Sequence, residues 1–350
     1  AARMIDDDDA ALVVAGGMES MSNAAYALLQ ARSGYRFGDG TLFDLMIHDG
    51  LWDYFFDATM ASQSSKVAAE LGLSRELQDE FALRSHQRAS EATAKGWLAE
   101  EIVSLRVATK QKGKLLVDKL PAAVRARIPM FAGGGGGASI WDHVAPDAMV
   151  ADPATFSPFV TGDVPHTVFD RDEAIRDDAS LAAMAKLQPI DRGGSVTAAN
   201  APGVSDGACA IVLASASYAR SHGHNVLGTI VDHATVAWDP PYLALTPAMA
   251  AQKLLDRHGL SASQIDVWEI NEAFSAVALS SARRLGLDTE DINVQGGAVA
   301  LGHPLGASGA RIIGSVIHQL RRRGGGQGIA AICSGGGQGD AVLIRVEDGR

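Results

Sequence analysis

Three short segments in the last third of the chain carry groups that can move a proton or hold a negatively charged oxygen. INEAFSAVAL (270–279) sets Asn271 and Glu272 directly after the apolar run VWEI. NVQGGAVALGHPLGASGARI (293–312) fixes His303 between Gly302 and Pro304, and AAICSGGGQGDAVLI (330–344) places Cys333 just before a run of three glycines. An imidazole titrates close to neutrality, and a thiol serves as nucleophile or proton carrier. Backbone N–H groups bared by a glycine turn can hold an oxyanion. Each residue taken singly has an ordinary structural reading. Asn271 would cap the following helix, His303 would be a structural histidine, and Cys333 would be a buried apolar thiol beside a tight turn. Cys209, inside GACAIVLAS, fits the structural reading well. The combination of Asn271, His303 and Cys333 carries more weight than any member alone.

These groups need a rigid frame, and the surrounding pattern supplies one. Strands are expected near 227–231, 265–270, 329–333 and 341–346, with helices around 247–258, 272–285 and 308–322. Alternation of this kind implies a layered α/β fold, in which reactive groups gather where strands end. The helix after His303 points its positive end at the histidine loop. Earlier in the chain, Ala1 to Ile5 read as a last helical turn, and ALVVAGG and GACAIVLAS (207–215) read as buried strands. The segment SRELQDEFALRSHQRASEATAKGW reads as a helix capped by Ser74, with Leu77, Phe81 and Leu83 on its apolar positions. Residues 110–170, with the run Gly133–Gly137, show no sustained period and read as a long excursion or lid.

Composition narrows the possibilities. With 350 residues, 47% of them hydrophobic and 20% charged, the chain can bury a large core in two or three structural units. No apolar run approaches the roughly 18–20 residues that cross a bilayer, and AARMIDDDD is neither a signal peptide nor a basic transit segment. A cytoplasmic location is the expectation. Two distant cysteines leave no disulfide framework or zinc site, and a net charge of -11 argues against nucleic acid as a partner. Any anion site should be small and local.

VVAGGMESMS (13–22), INEAFSAVAL, NVQGGAVALGHPLGASGARI and CSGGGQGDAVLI (333–344) together resemble, in order, the signature segments of the thiolase family. The similarity spans nearly the whole chain outside about 110–165. It implies an acyl-CoA acyltransferase of lipid and fatty acid metabolism with a five-layered α/β/α/β/α fold, built from two similar halves and a helical loop domain that binds coenzyme A. On this basis 1–24 and 204–223 would be the remnant of an incomplete first half. Residues 25–203 would be the loop domain with an irregular insertion at about 112–165, and 224–350 the second half. The implied reaction is thiolysis of a 3-ketoacyl-CoA or the reverse Claisen condensation. Coenzyme A is substrate or product, and no metal or other cofactor takes part. The partners implied are CoA and acyl-CoA, and a second copy or more in a homodimer or homotetramer.

Carried over by position, His303 resembles the histidine that activates the family's nucleophilic cysteine and helps bind the thioester oxygen. Cys333 resembles the cysteine that acts as acid and base at the acyl α-carbon. Asn271 resembles the asparagine that holds a water in one oxyanion hole, and the N–H of Gly335 would serve another. Arg176 would lie near the CoA phosphates. Met60, Ala198, Ala273 and Phe274 would line the pantetheine and acyl channel. Three departures stand out. The family's nucleophilic cysteine lies upstream of VVAGGMES, so the resemblance places it outside these residues. TAANAPGVSDG carries Ala199 and Pro202 where glycine and serine are usual. The 112–165 stretch exceeds the usual loop domain. Two other readings remain open: a truncated, non-catalytic CoA-binding or assembly subunit, and a β-ketoacyl synthase-like condensing enzyme. The latter resembles a Cys-His-His arrangement, whereas His303 here is accompanied by Cys333.

Overall fold

The computed structural model describes residues 1–108 and 166–347. The expected excursion, including the insertion at about 112–165 and Gly133–Gly137, lies outside the described residues apart from its margins. Strands β1 (Leu12–Ser20), β2 (Asp206–Ala214), β3 (Thr229–Ala237), β4 (Val267–Ile270), β5 (Gly326–Ser334) and β6 (Gln338–Val346) carry the framework. Helices α1 (Met60–Glu70), α2 (Arg75–Ala94), α3 (Thr246–His258), α4 (Ser275–Leu285) and α5 (Leu305–Arg323) pack around them.

A four-stranded sheet runs in the order β4-β5-β6-β3, with β4 and β5 parallel and the other pairs antiparallel. Both faces are covered, which is why VWEI and GIAAIC are nearly unbroken apolar runs. On one face Ile312, Val316 and Leu320 of α5 meet Val267, Ala330, Ile344 and Val346. On the other, Leu254 and Leu255 of α3 and Ala278 and Leu279 of α4 join Trp268, Ile270, Ile329 and Leu343 in the main core.

The opposite side of α5 lies on an antiparallel pair, β1 with β2, registered Gly17↔Cys209. The backbones of Gly17 and Gly306 are so close that a side chain on either would strike the other segment's main chain. The described order of layers is thus β1–β2, α5, four-stranded sheet, then α3 with α4.

Several boundaries differ from the sequence expectation. β1 and β2 are not buried strands: they alternate, and Val14, Met18 and Val212 are 69%, 67% and 65% exposed. Among the described residues helix α5 covers only one of the pair's faces, so the other apolar positions meet solvent. Ser74 does cap α2, accepting the N–H of Leu77, and Phe81 is buried, but Leu77 itself is exposed. The chain's first residues form a five-residue helix, Ala2–Asp6.

The chain divides into two compact units, one of residues 1–101 with 172–350 and one of 102–171. In the second, Leu105–Ala108 pairs antiparallel with His166–Phe169. No helix among the described residues is long and apolar enough to cross a membrane.

Candidate functional site

Parallel pairing of β4 and β5 sets Ile270 opposite Ala331, and the N–H of Asn271 donates to the Ala331 carbonyl at 2.8 Å. Asn271 and Cys333 therefore stand at the same carboxyl edge of two neighbouring strands. The helix expected from about 272 begins later. Phe274, extended at φ -151°, precedes α4 without side-chain capping, and Asn271 to Ala273 remain non-helical. Asn271 is thus no helix cap. Its Nδ2 lies 3.3 Å from His303 Nε2, and its buried Oδ1 has no hydrogen-bond partner among the described residues.

His303 is held from three sides. Its backbone N–H donates to Ser205 Oγ at 2.9 Å, and Ser205 Oγ donates to the Gly203 carbonyl at 2.8 Å. Its Nδ1 lies 2.6 Å from Ser308 Oγ, one turn into α5. Gly302 before it takes φ +100°, a left-handed conformation that glycine adopts without strain, and a side chain there would press on Ser205. Burial, reinforced by the positive charge of Arg311, lowers the imidazole pKa to about 4. At neutral pH the ring is uncharged and can accept a proton.

Beneath this pair lies a carboxylate that the sequence reading left without a role. Glu272 is fully buried and accepts hydrogen bonds from Ser85 Oγ (2.7 Å), Asn293 Nδ2 (2.9 Å) and the N–H of Val299 (3.0 Å). Burial raises its pKa, while those donors pull it down. Asn293 also brackets Ile270, accepting its N–H and donating to its carbonyl, both at 2.8 Å. Glu272 thereby ties α2, the end of β4 and the glycine loop into one block. A signal was present in the sequence: a carboxylate between a buried strand and AFSAVAL has no route to water and must find donors.

Cys333 sits in an apolar wall formed by Val67, Leu243, Ala244 and Val277, with Met60, Ala273 and Phe274 packed against it. Burial pushes its thiol up to about 12. The hairpin β5–β6 turns through Gly335, Gly336 and Gly337, the last two left-handed at φ +74° and +73°. A Cβ on Gly335 would stand 2.9 Å from the Met60 methyl. Phe274 also packs on Ala61, Val196 and Ala201, and Ala198 is an exposed residue of that same loop.

The structure therefore brings Asn271 and His303 into contact, and gathers Cys333, Gly335, Met60, Ala273 and Phe274 around the neighbouring strand end. Arg176 stands elsewhere, at a cavity of about 330 Å³ lined by His86, Ser90, Asp177 and Ala179, where its backbone N–H donates to His86 Nδ1 at 3.2 Å. Cys209 is half-buried in β2, and burial raises its pKa. No hydrogen bond joins either thiol to His303 among the described residues.

Known proteins share the sequence pattern and the fold of this chain. Residues 224–346 match the family model described as thiolase, C-terminal domain, and residues 1–126 with 158–217 match thiolase, N-terminal domain. The acetyl-CoA acetyltransferase of Cupriavidus necator is 37% identical over 98% of this chain and 75% of its own length. A probable acetyl-CoA acetyltransferase of Mycobacterium tuberculosis is 40% identical over 95% of this chain and 72% of its own. The crystal structure of human mitochondrial 3-ketoacyl-CoA thiolase superposes with a TM-score of 0.79 at 32% identity, over 98% of this chain and 73% of that one. The same enzyme has been solved in complex with CoA, with the same agreement. The fold is that of the thiolase class of α/β enzymes. The chain belongs to the thiolase family.

Proposed function

We propose that this site exchanges acyl groups between coenzyme A thioesters, with Cys333 carrying the proton of the acyl α-carbon and His303 with Asn271 handling the thiol proton and the carbonyl oxygen. The observation that carries the proposal is the placement of an uncharged imidazole, paired to a buried amide, beside a strand end that bears a thiol in an apolar wall. The names of the relatives, and the CoA complex of the human enzyme, support coenzyme A as the carrier. In this reading Met60, Ala198, Ala273 and Phe274 line the thioester channel, Gly335 supplies an oxyanion N–H, and Arg176 meets a phosphate.

The chemistry follows from the protonation states. Cleavage of a 3-ketoacyl thioester begins when a thiolate adds to the ketone carbon. The bond between that carbon and the α-carbon then breaks, and the carbanion takes the proton of Cys333. A thiol held up at about 12 starts the cycle protonated, so it serves first as an acid, the order that thiolysis requires. The resulting thiolate then deprotonates the incoming coenzyme A, whose sulfur attacks the thioester just formed, so that the new acyl-CoA leaves and the first thiolate is released. Neither thiol of these residues takes the nucleophile's part. Cys333 cannot be acid and nucleophile in one step, and no hydrogen bond joins Cys209 to the imidazole among the described residues.

Solvent deuterium entering the methyl carbon of acetyl-CoA tests the proposal, because this weakly acidic α-carbon needs a positioned base to exchange at a useful rate. Exchange catalysed by the wild type and reduced at least 100-fold in Cys333→Ala is expected, from the usual contribution of a positioned acid–base group. Exchange unchanged by that substitution would show the thiol to be a bystander. Absence of exchange in the wild type, with acetyl-CoA still bound in calorimetry, would favour a CoA-binding subunit without catalysis.

A further inference from the structure

Among the described residues His303 has hydrogen-bond contacts with Asn271, Ser205 and Ser308, and Ser308 takes no part in the proposed acyl exchange. Ser308 is fully buried in the first turn of α5. Its Oγ lies between two atoms: His303 Nδ1 at 2.6 Å and the Pro304 carbonyl oxygen at 3.0 Å. A hydroxyl has one hydrogen to give, and the carbonyl can only accept. Were that hydrogen aimed at Nδ1, two bare oxygens would face each other at 3.0 Å. Aimed at Pro304, it satisfies that contact and leaves the Oγ lone pairs to the imidazole. Nδ1 must then carry the ring hydrogen. An uncharged imidazole has only one, so Nε2 presents a lone pair. The Asn271 Nδ2 at 3.3 Å is a donor suited to that lone pair, and this orientation leaves Asn271 Oδ1 as the orphaned acceptor beside it.

We propose that Ser308 is a positioning residue that selects the Nδ1–H tautomer of His303, so that Nε2 faces the reaction space as the proton acceptor. The consequence is sequential use of one nitrogen. Nε2 first takes the proton of the thiol whose sulfur adds to the substrate carbonyl, and the N–H so formed lies beside Asn271 as a donor toward a developing oxyanion. With the opposite tautomer the nitrogen at the site would already be protonated and could not begin the cycle. The proposal rests on the assignment of His303 as the group that receives a thiol proton, but it concerns the resting ring and can be read without any turnover.

The test is nitrogen NMR of the full chain carrying ¹⁵N-histidine, with His303→Gln used to assign the His303 signals among the ten histidines. At neutral pH the wild type should show a protonated Nδ1 and a bare Nε2. Ser308→Ala should shift the tautomer ratio at least tenfold toward Nε2–H, and Ser308→Thr, which keeps the hydroxyl, should restore it. Should the alanine variant not fold, Ser308→Cys, a poorer acceptor, reads the same shift. A wild-type ring already protonated on Nε2, or a ratio unmoved by loss of the hydroxyl, overturns the proposal. Because no acyl transfer enters the measurement, a correct tautomer in a chain without α-proton exchange would sink the proposed reaction and leave the role of Ser308 standing.

Discussion

Helix α5 separates two sheets that meet very different conditions. The four-stranded sheet is covered on both faces, and Ile329, Ala331 and Leu343 are almost wholly removed from water. The β1–β2 pair touches α5 with one face and leaves Val14, Met18 and Val212 open on the other. Asn271 and Cys333 belong to the first sheet, and the His303 loop leads into the helix between the two. A group that must hold an atom within fractions of an ångström belongs on strands with no freedom to shift, and only the doubly covered sheet offers that.

This contrast can be tested from its strongest consequence downward. Ile329→Ala should lower unfolding stability by about 3 kcal/mol in urea titration, since its neighbours on both sides prevent collapse of the cavity. A loss under about 1 kcal/mol would mean that this sheet is no more tightly held than a surface element. Next, Asn271→Ala should reduce α-proton exchange about 100-fold while leaving stability nearly unchanged, as removal of one preorganised donor does elsewhere. Equal damage to both would show Asn271 to be part of the framework rather than of the chemistry.

A third expectation concerns Glu269, buried in β4 with Gln319 Nε2 donating to it at 2.6 Å. Burial raises its pKa from 4.5 to about 8, against the opposing charge of Arg311. The folded protein therefore keeps a proton that the unfolded chain releases. Its stabilising contribution is complete below pH 4.5 and is lost as pH rises through about 8, with a slope approaching about 1.4 kcal/mol per pH unit between those values. Glu269→Gln should flatten stability against pH in that window; an identical slope in the variant would assign the titration to another group. The smallest effect is expected on the open sheet face, where Val14→Thr should change stability by no more than about 0.5 kcal/mol. A larger loss would reveal a partner covering this face in solution.

The sequence made the doubly covered side legible and left the open side ambiguous. Long apolar runs in β4 and β5, the Ser74 cap and the apolar pattern of α5 stated their structures directly, because burial and capping leave local marks. Strand starts ran ahead of expectation, to Gly326 and Gln338, since ladder hydrogen bonds continue past the apolar residues that reveal a strand. The start of α4 was misjudged because NEAF has a good helical composition, yet Asn271 and Glu272 are drawn into contacts made by distant loops. For the same reason the partners Ser85, Asn293, Ser205 and Ser308 were invisible: a serine's use is decided by what folds against it. Val14 and Val212 misled in the opposite sense, since a run of β-branched residues marks a strand but says nothing of how many faces are covered.

The hydrogen bonds around Glu272 also bear on how the site comes into being. Its partners arrive from α2, from Asn293 and from Val299, segments that meet only when helix, strand end and glycine loop are all in place. A partly assembled version would leave a buried carboxylate short of donors and would be strongly disfavoured. Local opening at any of the three segments should therefore release the others, so that their amides exchange with solvent as a single cooperative unit. The segments that carry Asn271 and His303 should accordingly be held in register, or released, together.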